Sequence, residues 1–214
     1  MTMRFLVLSD IHMRERVKLW ATRLIDETRS DALLILGDIT QFGPPQWVGE
    51  FISHFDVPAY AVLGNCDPPM ALEWIERTAF SMHGNKVEIE GETLVGLGGS
   101  SPTIFDTPNE QSEESIYTTL RPIMEKGCIM VTHCPPYGIN DLTRHGYHAG
   151  SHALKSILEE FGPKAWLAGH IHEARDIVEE GGTTFMNPGA AKDGYSGLLE
   201  IGNGVRVELL DRME

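Results

Sequence analysis

The sequence predicts an α/β fold (α+β by some schemes), in a single domain spanning residues 1–214. Three observations carry that prediction. The first half alternates short, almost wholly apolar runs with amphipathic or proline-initiated segments. The second half ends in four short strand-like runs separated by glycine turns. No repeat, low-complexity tract or Pro/Gly/Ser-rich linker divides the chain.

Arg4–Leu8, Ala32–Leu36 and Ala59–Leu63 have the length and apolarity of strands buried on both faces. Between the first two, Val17, Leu19, Trp20, Leu24 and Ile25 fall close to helical spacing within Arg14–Arg29. Pro44-Pro45 opens a helix expected to reach Phe55, and Pro68-Pro69 opens another to about Ala79, since proline suits a first helical turn. This alternation implies right-handed crossovers and a mostly parallel sheet. Lys86–Ile89 and Thr93–Leu97 read as a hairpin, followed by a loop over Gly98–Glu110 and a helix over Glu113–Glu125. Ile129–Thr132 is a further buried strand, and Tyr137–Ser151 a long loop. Ser151 then caps a helix to Phe161, and Ala165–Ala168 is a strand. The closing runs are Arg175–Val178, Thr183–Met186, Gly197–Ile201 and Val205–Leu210, with turns at Gly181-Gly182 and Asn203-Gly204.

With 17 Lys+Arg against 31 Asp+Glu, the net charge is −14, which opposes extended wrapping of nucleic acid. No apolar run approaches the ~18 residues of a membrane span, and Met1–Leu8 lacks the features of a signal peptide. A cytoplasmic location is the expectation, and the assembly state, monomer or homo-oligomer, stays open. Cys66, Cys128 and Cys134 have no Cys-x-x-Cys spacing, so neither a disulfide framework nor a thiolate zinc site is expected.

Five strand ends each deliver metal-binding side chains: Asp10-Ile11-His12, Gly37-Asp38, Gly64-Asn65-Cys66-Asp67, His133, and Gly169-His170-Ile171-His172. Each alone has an ordinary reading as a cap, a turn or a hydrogen-bonded core histidine. Together they point to one shared centre, because open α/β sheets bind ligands at the carboxyl ends of their strands. Carboxylate, amide and imidazole donors suit Mn²⁺, Fe, Zn²⁺, Co²⁺ or Ni²⁺.

In this order the five motifs closely resemble the calcineurin-like metallophosphoesterase family, over residue 9 to about residue 190 and including Asn187-Pro188-Gly189. Within it, the chain is most similar to the small single-domain phosphodiesterases of bacteria and archaea. The resemblance implies a four-layer fold, a double β-sandwich flanked by helices. It implies two divalent metal ions, one held by Asp10, His12 and His172, the other by Asn65, His133 and His170, with Asp38 between them. It further implies a small phosphate-ester substrate, attacked in line by a metal-bridging hydroxide, with a diester favoured over a monoester. Two dications facing two carboxylates leave roughly +2 to attract phosphate.

One position departs from the family's commonest pattern. Cys66 stands where most members have the histidine credited with protonating the leaving group. Asp67 is expected to orient a ligand or catalytic group. His145, His148 and His152, on or beside the loop after His133, have an ordinary reading as surface histidines on a Gly-rich loop; His148 is the candidate among them to contact substrate and partly replace the missing acid. Two other readings use the same fold: a protein-interaction scaffold, as in the retromer's small subunit, and a phosphomonoesterase or nuclease. Seven intact ligand positions favour an enzyme over the scaffold. The lack of a basic stripe weakens the nuclease.

Overall fold

The computed structural model describes residues 2–211, so positions 1 and 212–214 of the expected 1–214 unit lie outside the described residues. The first half runs β1 (Met3–Leu8), α1 (Arg16–Thr28), β2 (Ala32–Ile35), α2 (Gln46–Ile52), β3 (Ala59–Ala61), α3 (Leu72–Thr78) and β4 (Phe80–Ser81). Then follow β5 (Asn85–Ile89), β6 (Glu92–Leu97), α4 (Glu113–Leu120), β7 (Ile129–Thr132), α5 (His152–Phe161) and β8 (Ala165–Leu167). The chain closes with β9 (Asp176–Glu180), β10 (Thr183–Asn187), β11 (Ser196–Gly202) and β12 (Gly204–Leu210).

The strands form two six-stranded sheets, ordered β12-β11-β1-β2-β3-β4 and β5-β6-β7-β8-β10-β9. In the first, β1 through β4 are parallel neighbours and the closing hairpin β11-β12 joins antiparallel. In the second, β6, β7, β8 and β10 run parallel between two antiparallel edges.

Side-chain alternation along the strands builds four layers. Phe5, Val7, Leu34 and Val62 of the first sheet pack against Leu94, Ile129, Val131 and Leu167 of the second. The intervening residues Leu6, Leu8, Leu33 and Ile35 face Val17, Trp20, Leu24, Phe51 and Ile75 of the helices. On the far side, Val95, Met130 and Trp166 meet Ile116, Leu120, Leu154 and Ile157. The double sandwich flanked by helices is therefore present.

Several boundaries differ from the sequence reading. α4 stops at Leu120 rather than Glu125, because Pro122 lacks the N–H a continuing helix needs. Ile123 and Met124 still reach the core, which is why the apolar spacing continues past the helix. α2 is limited to Gln46–Ile52, and α3 is preceded by a 3₁₀ turn over Pro69–Ala71. β4 is an unpredicted two-residue strand, defined by its pairing with β3. α5 matches, with Ser151 Oγ accepting from the Leu154 N–H at 3.2 Å.

Candidate metal centre

The carboxyl ends of β1, β2, β3, β7 and β8 meet at one edge of the sandwich. Backbone bonds tie the loops across it: Asp10 N–H donates to Gly37 O at 3.1 Å, His12 N–H to Asp38 O at 2.9 Å, and Gly169 N–H to His133 O at 2.9 Å. The loops approach so closely that only glycine fits at two positions. A Cβ at Gly64 would lie 2.0 Å from Asp38 Oδ1, and one at Gly169 would lie 1.8 Å from Ser9 Oγ. Asp10, His12, Asp38 and His170 themselves adopt left-handed backbone, at φ of 55°, 46°, 48° and 67°. Such conformations cost about 1–3 kcal/mol each, and they persist where the surroundings enforce them, characteristically at functional sites.

On one side of the centre, His172 Nε2 lies 3.1 Å from Asp10 Oδ1 and 3.4 Å from His12 Nε2. On the other, His133 Nε2 lies 2.9 Å from Asn65 Oδ1, and the His170 ring stands edge-on to His133 with centroids 5.0 Å apart. Asp38 lies between, with Oδ2 3.7 Å from His12 Nε2 and Oδ1 3.5 Å from His133 Nε2. The ligand atoms of Asp10, His12 and His172, and those of Asp10, Asp38 and His133, all fall within 4.8 Å of one another. The same holds for His12, Asp38 and Cys66, so the thiol is at the centre too.

The donor set fits a cation on hydrogen-bonding grounds. Glu110 Oε1 accepts the Thr107 hydroxyl at 2.6 Å, so Thr107 Oγ1 accepts from Asn65 Nδ2 at 3.0 Å. Asn65 therefore aims its oxygen at His133. Leu36 O can only accept, so it takes the proton of His133 Nδ1 at 2.8 Å and leaves Nε2 as the ring nitrogen that faces Asn65. An imidazole nitrogen and an amide oxygen, both able to ligate a cation, thus face one another at 2.9 Å in a buried site.

Electrostatics agrees. Burial pushes Asp38 up to about 6, with His133 opposing and the Asp10 and Asp67 carboxylates assisting. Burial raises the Asp10 carboxyl as well, but its hydrogen bond to His172 and the nearby imidazoles more than offset this and hold it well below the usual range. His12 is pushed down to about 4 and His170 to about 3, chiefly by burial, so both rings stay neutral and able to bind metal.

The sequence model of the calcineurin-like phosphoesterase family matches residues 3–174. The chain belongs to that family. An uncharacterized protein of Methanocaldococcus jannaschii is 35% identical over 169 residues, which is 74% of this chain and 77% of its own. Among solved structures, a Thermus thermophilus protein superposes with a TM-score of 0.74 at 14% identity, covering 98% of this chain and 99% of that one. A dimetal phosphatase from Danio rerio gives a TM-score of 0.68 at 11% identity, covering 99% and 97%. An archaeal phosphodiesterase gives 0.57 at 17% identity, covering 97% and 100%. Membership of this family makes the chain a hydrolase of the phosphoester-cleaving kind, and Asp10, His12, Asp38 and His133 suggest a site for a divalent metal. Among the described residues, no helix is long and apolar enough to cross a membrane.

The other residues singled out in this phosphoesterase occupy distinct places. Asp67 is fully buried and accepts four hydrogen bonds, from the N–H groups of Ile39, Thr40 and Gly64 and from the Thr40 hydroxyl. It shapes the loops that carry Asp38 and Asn65. Cys66 donates its N–H to Asp38 Oδ1 at 2.8 Å, and burial, with the Asp38, Asp67 and Asp10 carboxylates, pushes its thiol far up. His148 lies on the loop after β7, its Nδ1 2.6 Å from Asp141 Oδ1. Cys134 is buried filler in the outer core, and His83 accepts the Gly98 N–H. Thr107, Glu110 and Asp141 escaped the sequence reading. Nothing in the composition of their loops marks which distant group each would hold.

Proposed function

We propose that this phosphoesterase is a dinuclear enzyme that prefers phosphodiesters of small molecules. The observation that carries the reading is Asp38, whose two oxygens face two different donor groups, His12 on one side and His133 on the other. Asp10, His12 and His172 would hold one divalent ion, Asn65, His133 and His170 the second, and Asp38 both. When bound, the ions supply Lewis-acid activation of water and charge for a phosphoryl group.

The chain's own residues prepare that site. Leu36 O and the Glu110–Thr107 pair fix the donor atoms of His133 and Asn65 before any ligand arrives. The Cys66 N–H and the Asp67 carboxylate hold the two loops in register. Cys66 keeps its proton and cannot easily return or release it. His148, oriented by Asp141, is the group that would hand a proton from Nε2 to the departing oxygen. Preference for diesters is supported by the resemblance to the small phosphodiesterases, by the likeness in fold to the archaeal phosphodiesterase, and by exposed Ile104 and Phe105 on the loop whose Thr107 bonds Asn65, which suit an organic ester group. The charge of −14 favours a small ester over a nucleic acid.

Assays with aryl phosphodiester, aryl phosphomonoester, cyclic nucleotides and single-stranded DNA under Mn²⁺, Ni²⁺, Zn²⁺ and Mg²⁺ test the reading. Hydrolysis of the diester should exceed the others and vanish with chelator. Asp38→Asn should bind fewer ions and cost more activity than Asp10→Asn; equal, small effects would refute two-metal chemistry. Metal affinity should weaken as the pH falls through about 6, because a cation must displace the proton that Asp38 then carries.

A further inference from the structure

Beside the metal centre lies a cavity of about 440 Å³ lined by Arg14, Arg16, Lys192 and Asp193. In a chain with nearly twice as many acidic as basic residues, three cations against one carboxylate in one concavity is a local reversal of charge. The cavity is built into the site's own scaffold. Arg14 follows His12 by two residues and donates its N–H to Ile11 O at 3.1 Å. Lys192 donates its N–H to Asp10 O at 3.1 Å, and the preceding Ala191 N–H reaches Ser9 O at 2.7 Å. The turn bearing Lys192 is thus fastened to the backbone of the first metal motif.

The cations differ in what they are free to do. Arg16 is committed, donating from Nη2 to Lys192 O. Glu15, between the two arginines, turns away to Lys18 and to Trp47 Nε1. The guanidinium of Arg14 and the ammonium of Lys192 have no hydrogen bond or ion pair among the described residues. Lys192 is also close enough to His12 and His172 to oppose their protonation. Two uncommitted cations next to a centre that would hold phosphate invite a second anion on the same molecule.

We infer that this cleft receives a second anionic group of the substrate, so that the preferred esters carry a phosphate, phosphonate or carboxylate besides the phosphorus that reacts. The inference rests on the phosphoesterase reading above. A cavity of this volume accommodates such a group and its connecting atoms. Arg14 offers a planar fork for two anion oxygens, and Lys192 a mobile point charge.

The test compares ethyl 4-nitrophenyl phosphate with 2-phosphonoethyl 4-nitrophenyl phosphate on the Mn²⁺-loaded protein. Wild type should favour the phosphonate in kcat/KM by about tenfold or more, as a close charge pair provides. Arg14→Gln and Lys192→Gln should each shrink that ratio several-fold, and added salt should shrink it further. No preference in wild type, or a ratio unchanged in both variants, overturns the inference; equal losses on both esters do the same, since that is damage to the centre. Calorimetry with methylenediphosphonate on chelator-treated protein gives a readout free of turnover. Binding that both substitutions weaken supports the cleft, while absent binding, or binding indifferent to both, overturns it. If neither ester is hydrolysed, the phosphoesterase reading fails and calorimetry alone decides whether the cleft takes an anion. Binding without any preference between the esters would mean a free anion, not part of a substrate, and would overturn the substrate assignment.

Discussion

Two buried aspartates hold the two kinds of loop at the centre, and they are used differently. Asp67, with no exposure, directs both oxygens at three backbone N–H groups and one hydroxyl within the short loops after β2 and β3. Asp141, 1% exposed, spends Oδ2 on the N–H groups of Gly138 and Gly150 and keeps Oδ1 for the half-exposed His148. The inner loops are thereby closed: strained, stapled and without a proton to give. The outer loop is equally anchored but carries an imidazole that is open to solvent. In the proposed mechanism, metal geometry and proton delivery fall to different loops, each with its own carboxylate.

The largest expected effect comes from removing the inner anchor. Asp67→Ala leaves the N–H groups of Ile39, Thr40 and Gly64 buried without partners, and each such group costs about 1–3 kcal/mol. A loss of at least about 3 kcal/mol in urea unfolding is expected, along with reduced metal stoichiometry. A loss under about 1 kcal/mol would erase the distinction between the two aspartates.

The outer loop should respond in activity more than in stability. His148→Gln removes an exposed ring, so unfolding should change by no more than about 0.5 kcal/mol. Turnover of diesters with alkyl leaving groups should fall by about tenfold or more, and of 4-nitrophenyl esters by less, since general acid catalysis matters most where the departing oxygen is basic. Asp141→Asn should show both losses, because it frees the loop as well as the ring. Equal rates for His148→Gln and wild type on every leaving group would remove the proton role from this loop.

What could be read without coordinates follows the reach of each interaction. Asp10, Asp38, Asn65, His133 and His170 were legible because each sits at the end of a short apolar run, where strand geometry forces its position. Ser151 was legible as a cap because its partner, Leu154, is three residues away. The Thr107 contact to Asn65 spans 42 residues and His133 to Leu36 spans 97, so neither has a local signature. The end of α4 was misread for another reason: Ile123 and Met124 are core residues whose spacing imitates a helix that Pro122 has already stopped. Arg14 and Lys192 are 178 positions apart and become a pair only through the backbone bond of Lys192 to Asp10.

The smallest expected effect, and the sharpest test of the division between loops, concerns Cys66. Its thiol is buried and surrounded by the Asp38, Asp67 and Asp10 carboxylates, so losing a proton would add a fourth negative charge to a crowded site. A donor so reluctant contributes little to a leaving alkoxide, whereas its backbone N–H, which holds Asp38 Oδ1, survives any side-chain substitution. Cys66→Ala should therefore keep turnover of 4-nitrophenyl diesters within about threefold of wild type, well short of the 10²–10⁴ that general acid catalysis supplies. Cys66→His introduces a ring whose ordinary pKa is about 6.5 and should help alkyl leaving groups modestly, flattening the dependence on leaving-group pKa. Two results would reverse the assignment. If Cys66→Ala loses one metal ion, the sulfur is a ligand, as its closeness to His12 and Asp38 would permit once a cation lowers its pKa. If it abolishes turnover with both ions retained while His148→Gln does not, the proton comes from the inner loop after all.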